Sequence, residues 1–424
     1  MSASVWKIRK LGTIASLHAR IGWQNLRTTE FLDSGDYYLI TGTDFEDGHV
    51  NFDTCHYVEK KRFNQDANIQ LQIGSILITK DGTLGKVAYI DKLNKPATLN
   101  AGVFNVVVKD EQTEKKYLFH LLKSPALMNY ATIKSTGGTI KHLNQNVLIK
   151  FPVISPKDIE EQKHIADILS TCDTVIQNTQ KTIDKHKAIK QGMMLDLFTR
   201  GLTKDGKLRP SYKEAPELYK ESELGIIPKD WDISDFGDIG SLAMCKRVFQ
   251  YETTDEGEIP FYKIGTFGAN PDAYISKTLY ESYRNLFSYP NKGDILISAS
   301  GTIGRTVIFD GKPAYFQDSN IMWLAHDERR ILNNYLYYLY KTITWNLEGS
   351  TIKRLYTDNF KKIKVSFPKD KLEQDEIAKR LSSIDLAIQK EDAILEKYKN
   401  IKTGLMARLL TPPKDAVIID ETEE

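Results

Sequence analysis

The chain has 424 residues, of which 41% are hydrophobic and 27% are charged. This length predicts two or three compact domains, and the composition excludes a largely disordered protein. With 58 Lys and Arg against 56 Asp and Glu, the formal net charge is only +2, so any contact with a nucleic acid must come from local groups of residues.

The chain contains three cysteines, Cys55, Cys172 and Cys245. Their odd number and their spacing argue against a disulfide framework and a zinc site, and they fit a reducing compartment. The sequence shows no apolar run of about 18 residues and no apolar signal segment at its start. We therefore expect a cytoplasmic protein that binds no metal and contacts no membrane.

Short strands alternate with turns in each half of the sequence. We predict strands over 73–79, 87–90 and 104–108, then 294–298 and 306–309, with helices over 116–128 and 333–344. The pattern lacks the regular strand–helix alternation of a nucleotide-binding parallel sheet. The fold class is therefore α+β, with two similar mixed α/β domains.

The second half of the sequence repeats the first. Residues 139–199 align without a gap on residues 351–411, and about two in five of the aligned positions are identical. Further upstream, the segment 74–86 matches 293–305, and Trp6 matches Trp231, at larger offsets. The changing offset indicates loops of different length on one shared scaffold, which predicts a pseudo-twofold internal repeat.

Each copy of the repeat ends in a heptad pattern that predicts a long helix. The expected boundaries are a globular domain over 1–156, a helix over 157–204, a linker and second domain over 205–369, a second helix over 370–411 and a tail over 412–424. The apolar positions that we expect at the helix interface, or against a partner, are Ile165, Leu169, Ile176, Ile183, Met193, Leu197, Ile377, Leu381, Ile384, Ile388, Leu395, Leu405 and Leu409.

The two helices can bury both apolar faces against each other as an antiparallel coiled coil. Asp158 and Asp370 are expected N-caps, and Glu161 and Glu373 stand where a capping box would place them. The interface also contains polar positions, including Thr179, Lys190, Glu391 and Lys402. Their pattern leaves open whether they pair within the chain or face a partner.

The repeated Gly-Thr-x-Gly segment at Gly82 and Gly301 is not a Walker phosphate loop, because two residues rather than four separate its glycines. A hairpin turn is the structural alternative. Basic and hydroxyl residues nearby suit a DNA backbone, although each alone is also a common surface residue. The candidate phosphate contacts are Lys80, Lys86, Lys134, Ser135, Lys141, His142, Arg305, Lys353 and Arg354.

Base reading requires polar side chains on loops that reach the major groove. The candidates are Trp23, Gln24, Asn25, Arg27 and Asp44 in the first half, and Lys263, Gln317, Asp318 and Asn320 in the second. No methyltransferase Asn-Pro-Pro-Tyr-type loop and no Walker lysine are present. The nearest approach to a nuclease motif, Asp53 with Glu59, Lys60 and Lys61, has no counterpart in the second half, so no catalytic residue is predicted.

The order of these features, in which a Gly-Thr-x-Gly turn precedes a Pro-x-x-x-x-Glu-Gln-x-x-Ile-Ala segment and a long heptad helix, all repeated, resembles the specificity subunits of type I restriction-modification systems. The resemblance covers nearly the whole chain. It implies two target recognition domains that read a split, asymmetric DNA site, with an antiparallel helical spacer that sets the gap between them. We expect the helices to hold the domains about one DNA turn apart, the geometry that paired readers require.

The resemblance also implies partners and cofactors. Two modification subunits would use S-adenosylmethionine to methylate adenine, and restriction subunits would translocate and cleave double-stranded DNA with ATP and magnesium. These cofactors would belong to the partners, and the chain itself would carry none. Two alternatives remain, a stand-alone nuclease or methyltransferase with a duplicated fold, and an assembly scaffold whose domains bind proteins.

Overall fold

The computed structural model describes residues 4–134, 142–345 and 354–422, apart from the side chain of Trp23. The chain divides into two compact units. Unit 1 comprises Met1–Lys181 and Ala393–Glu424, and unit 2 comprises Thr182–Asp392. Since each boundary falls inside one of the two long helices, each unit combines residues from both halves of the sequence.

The first half of the chain consists mainly of short strands followed by helices. Its elements are β1 (Val5–Lys10), α1 (Leu11–Ile14), β2 (Ala15–His18), β3 (Tyr37–Ile40), β4 (Phe45–Glu46), β5 (His49–Val50), β6 (His56–Val58), α2 (Lys60–Phe63), β7 (Ile76–Thr79), β8 (Val87–Tyr89), β9 (Ala97–Leu99), β10 (Val103–Val108), α3 (Lys115–Lys123), α4 (Pro125–Lys134), α5 (Gln145–Leu148), β11 (Pro152–Pro156) and α6 (Ile159–Thr199).

The second half follows the same plan with different loops. Its elements are β12 (Tyr219–Ser222), β13 (Gly225–Pro228), β14 (Trp231–Asp235), α7 (Phe236–Ile239), β15 (Ser241–Ala243), β16 (Thr253–Thr254), β17 (Ile259–Tyr262), β18 (Tyr274–Ile275), α8 (Lys277–Leu286), β19 (Ile295–Ser298), β20 (Thr306–Ile308), β21 (Tyr315–Phe316), β22 (Ile321–Ala325), α9 (Asn333–Leu339), α10 (Thr357–Lys361), β23 (Lys364–Pro368), α11 (Lys371–Leu409) and β24 (Val417–Asp420).

The predicted strands are present, with ends shifted by one to three residues. The predicted helix over 116–128 is wrong as a single element, because the chain bends at Ser124, where α3 ends before Pro125 begins α4. Proline disfavours helical backbone at the residue that precedes it, which explains the break. The predicted helix over 333–344 ends as α at Leu339 and continues as one 3-10 turn over Tyr340–Thr342.

An antiparallel sheet forms the centre of each unit. In unit 1 the strand order is β2-β10-β7-β8, and in unit 2 it is β15-β22-β19-β20. The central strands β7 and β19 are completely buried, which explains their continuous apolar sequences, Ile-Leu-Ile-Thr and Ile-Leu-Ile-Ser. Equivalent residues thus form equivalent sheets, as the sequence repeat predicted.

A smaller sheet joins the start of each globular region to the strand before its long helix. β1 pairs with β11 so that Trp6 lies opposite Pro156, and β14 pairs with β23 so that Trp231 lies opposite Pro368. In unit 1 the C-terminal strand β24 adds to β1 in parallel, with Val5 opposite Val417. The tail is therefore a structural part of unit 1.

The two predicted long helices are present as α6 and α11, and segments of them run antiparallel within each unit. In unit 1 Asp173 of α6 pairs with Lys402 of α11, and in unit 2 Lys190 of α6 pairs with Asp385 of α11. All thirteen predicted interface residues are buried or half-buried. The polar positions Lys190 and Lys402 thus pair within the chain.

The helix starts are only partly as predicted. The carboxylates of Asp158 and Asp370 accept hydrogen bonds from the backbone N–H groups two residues ahead, at 3.0 and 2.9 Å, as N-caps do. The predicted capping boxes are wrong. Glu161 accepts a hydrogen bond from Ser4, and Glu373 accepts one from the backbone N–H of Leu202 at 2.8 Å, because donors from other segments lie against these glutamates.

The glutamine of the repeated Glu-Gln segment has a structural function in both units. The side chain of Gln162 accepts a hydrogen bond from the N–H of Glu114 and donates to the carbonyls of Gln112 and Pro156. Gln374 makes the same three contacts in unit 2, with Leu332, Arg330 and Pro368. Both amides are completely buried. Each therefore ties the start of a long helix to the preceding strand and to a loop of the globular region.

Candidate nucleic-acid interface

The Gly-Thr-x-Gly segments form hairpin turns at the same end of each central sheet. In unit 1 the hydroxyl of Thr79 donates to the carbonyl of Thr83 at 2.5 Å and accepts from the N–H of Lys86 at 2.9 Å. In unit 2 the hydroxyl of Ser298 makes the same contacts with Thr302 and Arg305, at 2.6 and 2.9 Å. The structure therefore confirms the hairpin interpretation of the repeated turn.

The second glycine of each turn cannot be replaced without strain. Gly85 and Gly304 have φ angles of +70° and +82°, which side chains rarely adopt. A Cβ atom would lie 2.1 Å from the sulfur of Met128 in unit 1 and 2.1 Å from Nε1 of Trp345 in unit 2. The turn of unit 1 therefore packs against α4, and that of unit 2 packs against the segment that follows α9.

Other loops meet the turn at this end of the sheet. The N–H of Leu143 donates to the carbonyl of Lys80 at 3.0 Å, and the N–H of Leu355 donates to that of Ala299 at 2.8 Å. These contacts hold His142 and Arg354, the residues just before each leucine, beside the turns. The loops before β10 and β22, and those after β2 and β15, reach the same sheet end because these strands are antiparallel neighbours of known register.

In unit 1 these loops enclose an open groove of about 490 Å³. Lys80, Asp81 and His142 line it, together with the segment from Ala19 to Gly22. His142 Nδ1 lies 2.6 Å from the Asp81 carboxylate, and the Lys80 ammonium group lies 5.3 Å from the centre of the Phe104 ring. Lys80 and His142, both predicted to contact phosphates, are thus brought together.

Arg20 also lines this groove and was not predicted from the sequence. Its side chain is buried, and its guanidinium donates to the carbonyls of Leu99 and Gln24 at 2.9 and 3.2 Å. Burial, together with the nearby charge of Arg62, lowers the pKa of Arg20. The local sequence, Arg-Ile-Gly-Trp, does not indicate that the side chain of this arginine points inward.

The other residues of unit 1 that were predicted to contact DNA differ in their exposure to solvent. Asn25, Arg27, Lys86 and Lys134 are exposed, so their predicted DNA contacts remain open. Ser135 and Lys141 lie outside the described residues, as does the side chain of Trp23.

Gln24 and Asp44 do not present free polar atoms to a ligand in this conformation. Both are buried, and Asp44 accepts hydrogen bonds from the N–H of Thr41 at 2.7 Å and the hydroxyl of Thr54 at 3.1 Å. The amide of Gln24 closes its own turn with Ile21 and Asp66. We therefore reassign both residues to support of their loops, a role that residue type alone could not distinguish from base reading.

In unit 2, three of the four predicted base readers, Gln317, Asp318 and Asn320, lie in one turn before β22. The amide oxygen of Gln317 accepts from the N–H of Ile264 at 2.9 Å, and that of Asn320 accepts from the hydroxyl of Ser300 at 2.7 Å. Arg354 donates to the carbonyl of Ser319, between Asp318 and Asn320, at 2.7 Å. The structure thus brings together four residues that are up to 37 positions apart in the sequence.

Two other predicted residues of unit 2 lie nearby, and each contacts another residue of the same unit. The Lys263 ammonium group is 2.9 Å from the Asp272 carboxylate, and Arg305 donates to the carbonyl of Phe267 at 2.8 Å. Lys263 is half-buried and Arg305 is exposed. Lys353 lies outside the described residues.

Sequence reasoning missed an exposed basic and aromatic loop that follows β15. Arg247, Phe249 and Tyr251 are exposed, and the rings of Phe249 and Tyr251 stack at 5.6 Å. This loop follows β15 as the loop of Trp23 follows β2. The alignment of Trp6 with Trp231 could have identified it, because the same offset carries the residues 20–27 onto 245–252.

The described residues show little that resembles catalytic machinery. Burial raises the pKa of Cys245 to about 12 and also raises the pKa of Cys55, so both are neutral thiols near pH 7. In the part of the chain that the structure describes, no group of three or more His, Cys, Asp or Glu side chains could hold a metal ion. None of the described helices has both the length and the apolar character needed to cross a bilayer.

Each unit thus carries basic and polar loops from several chain segments at one end of an antiparallel sheet. This arrangement defines the class of protein, a duplicated scaffold for nucleic-acid recognition. Residues 4–187 and 228–399 match the profile of the family described as "Type I restriction modification DNA specificity domain". Because these matches cover more than half of the chain, the protein belongs to this family.

Similar proteins have related names. A putative type I restriction enzyme specificity subunit from Haemophilus influenzae is 49% identical over 197 residues, which span 44% of this chain and 51% of that protein. The putative MjaX specificity subunit from Methanocaldococcus jannaschii is 27% identical over 425 residues, 96% of this chain and 93% of that protein. Thus the more similar relative is matched over only about half of its length.

The fold is also similar to a solved structure. The type I restriction-modification S subunit from M. genitalium has a TM-score of 0.59 and 18% identity, with 97% of this chain and 98% of that chain covered. The fold class predicted from the sequence is therefore confirmed. Family membership gives the chain a recognition role, with the catalytic activities in other subunits of the system, and does not favour the alternative of a stand-alone enzyme.

Proposed function

We propose that the protein selects the target of a type I restriction-modification complex by reading a bipartite, asymmetric DNA site. The observation that supports this most directly is the duplication of the sheet-end loops. The same backbone contacts recur in both units, whereas the exposed side chains differ. Unit 1 presents Asn25, Arg27 and His142, and unit 2 presents Arg247, Phe249 and Tyr251. Different side chains on one scaffold suit two half-sites of different sequence.

The interface is local, in keeping with the small net charge. Lys80, Lys86 and Arg305 stand at the turns, where contacts with phosphates would fix the position of each domain on DNA. The polar residues of the neighbouring loops would then contact base edges. A formal charge of +2 for the whole chain gives weak non-specific attraction, so we expect high affinity only in the assembled complex.

An exchange of recognition domains tests this proposal. A hybrid of this chain and the M. jannaschii relative, joined within α6 and α11, should combine one half-site from each parent. The readout is the set of methylated sites in a host that expresses the hybrid with the modification subunits. A hybrid that folds and supports methylation but keeps both half-sites of this chain would contradict the proposal.

We further propose that the lengths of α6 and α11 set the number of base pairs between the half-sites. The experiment inserts one heptad into each helix, after Lys181 and after Ala393. These positions leave Asp173 with Lys402, and Lys190 with Asp385, in their pairs. We expect a changed gap and unchanged bases. A control with the heptads placed after Thr411, beyond α11, should keep the original gap, and an unchanged gap in the helix variant would contradict the proposal.

The partners and cofactors follow from the same proposal. Two modification subunits would bring S-adenosylmethionine, and restriction subunits would bring ATP and magnesium, while this chain would bind none of them. The complex would act on DNA in the cytoplasm, where Cys55, Cys172 and Cys245 would stay reduced, as their unpaired state fits. Isolated chain and reconstituted complex can be compared directly for binding of radiolabelled S-adenosylmethionine. Binding by the isolated chain would contradict this part.

A further inference from the structure

One exposed arginine in unit 2 is held in place by a carboxylate. Arg247 lies in the loop after β15, with 59% of its side chain exposed, and its Nε donates to Asp318 Oδ2 at 2.9 Å. The Asp318 side chain is only 16% exposed. An exposed arginine ordinarily samples many rotamers, so this contact removes much of the conformational freedom that binding would otherwise cost.

The carboxylate is itself fixed by its turn. The N–H of Gln317 donates to the carbonyl of Tyr262 at 3.0 Å, and the N–H of Asn320 donates to that of Asp318 at 2.7 Å. Ser319 adopts a φ of +61°, its hydroxyl donates to Asp318 Oδ2 at 3.2 Å, and its carbonyl accepts from Arg354. The position of Asp318 is therefore determined by backbone that is bonded on both sides.

Arg247 contacts Asp318 through Nε. Among the hydrogen bonds of the described residues, none involves the other two guanidinium nitrogens of Arg247. The terminal nitrogens Nη1 and Nη2 form a planar pair of donors on an exposed side chain. This is the geometry that matches the O6 and N7 acceptors of guanine in the major groove, and no other base edge offers two acceptors at that spacing.

The surroundings of Arg247 also favour a nucleic acid as its ligand. Phe249 and Tyr251 are 47% and 83% exposed and stack on each other two and four residues further on. Large exposed aromatic side chains beside basic ones are typical of surfaces that contact bases or sugars. The loop lies at the sheet end where the turn of Arg305 and the residue Arg354 also stand.

We infer that Arg247 reads a guanine in the half-site bound by unit 2, and that Asp318 is the residue that positions it. The inference rests on the proposed function, which it makes specific to one base pair. Asp318, first considered as a base reader itself, acts in this view through the arginine.

The experiment compares full-length variants in complex with the modification subunits, by selection from a DNA library randomised over both half-sites. R247K keeps the charge but loses the planar pair of donors. We expect it to reduce the preference for guanine at one position of one half-site about 10- to 100-fold, with the other half-site unchanged. D318N should reduce the same preference by a smaller factor and leave all other positions as they are.

Arg329 supplies a matched control. Its Nε contacts the Asp327 carboxylate at 3.0 Å, and it is exposed, but it lies in the loop after β22, at the opposite end of that strand from Asp318. R329K should therefore leave every base preference unchanged. Both substitutions affect exposed side chains, so we expect the variants to fold normally. Thermal unfolding at the same temperature as the unmodified chain checks this.

The possible results separate the inference from the proposed function. If R247K weakens binding to all sequences equally, Arg247 contacts a phosphate and the inference is wrong; in that case R247A, which removes the charge, should also lower the salt dependence of binding. It is also wrong if R247K selects the same bases as the unmodified chain. If the unmodified complex selects no sequence at all, the proposed function fails, and the inference fails with it.

Discussion

The two Asp–Lys pairs on the long helices occupy equivalent positions but have different neighbours. In unit 1 Asp173 contacts Lys402 and lies 3.5 Å from Lys123 and 3.9 Å from His120. In unit 2 Asp385 contacts Lys190 and accepts a hydrogen bond from the hydroxyl of Tyr338 at 2.9 Å. The repeat thus preserves the pair, while the residues from the globular region that face it have diverged.

The difference changes the charge around the carboxylate. Burial lowers the pKa of His120 to about 3 and that of Lys123 to about 8, so one carboxylate in unit 1 serves two lysines beside a neutral histidine. In unit 2 the residue equivalent to Lys123, Lys341, lies over the ring of Tyr337 at 3.8 Å. The comparison teaches that a duplicated polar contact can keep its geometry and still differ in its electrostatic role.

The largest expected effect is the loss of the unit 1 carboxylate. D173N leaves Lys402 and Lys123 without their shared counter-charge in a buried site, and we expect a loss of about 3–5 kcal/mol in the free energy of unfolding. D385N leaves only Lys190, in a site where that side chain is 18% exposed, and should cost about 1–2 kcal/mol. Hydrogen exchange measured separately for each unit checks both values, and equal costs would show that the extra neighbours do not matter.

A smaller effect is expected where the two units are alike. Q162M and Q374M each remove the same three hydrogen bonds and leave buried backbone groups unsatisfied, so each should cost about 2–4 kcal/mol. Because the contacts are equivalent, the two values should agree within about 1 kcal/mol. Denaturant unfolding of each variant, resolved by unit, provides the measurement, and a clear inequality would mean that the shared scaffold is not energetically equivalent.

The smallest effect concerns pH. His120 is buried and neutral in the folded protein, whereas an unfolded histidine titrates near pH 6.5. The unfolded chain therefore binds a proton that the folded chain does not as the pH falls from 6.5 toward 3, and stability falls with it. We expect a loss of about 1 kcal/mol between pH 6.5 and 5.5.

H120Y, which introduces the residue found at the equivalent position 338, should abolish this part of the pH dependence of unit 1. H164Q replaces an exposed histidine of the same unit and serves as the control. Thermal unfolding at a series of pH values distinguishes the two. If H120Y keeps the full dependence, a group other than His120 takes up the proton.

The duplicated scaffold could be predicted from the sequence, because it depends on patterns that recur. Heptad spacing located the two long helices, and apolar runs located β7 and β19. The partners of single polar residues could not be predicted. Glu161 and Glu373 satisfied the spacing of a capping box, yet Ser4 and Leu202, which lie far away in the sequence, provide their hydrogen bonds.

At the candidate site, too, repeated patterns could be predicted from the sequence and the positions of single side chains could not. The Gly-Thr-x-Gly hairpins could be predicted because both copies carry them, whereas the DNA contact of Arg354 stays a prediction. The inward position of Arg20, Gln24 and Asp44 was missed, because residue type does not determine which face of a loop a side chain occupies. The loop of Arg247 was missed because its sequence has diverged from that of Trp23, although its position after an equivalent strand is the same.

The chain segments that form each unit determine the order in which the two units can be completed during synthesis. Unit 2 is one continuous segment, Thr182–Asp392, so all of its residues are synthesised before the last part of unit 1. Unit 1 needs the second half of α11 to supply Lys402 for Asp173, and it needs β24 to complete the sheet of β1. The first segment of unit 1 therefore keeps an apolar helix surface and an open strand edge exposed to other chains until α11 and β24 have been synthesised.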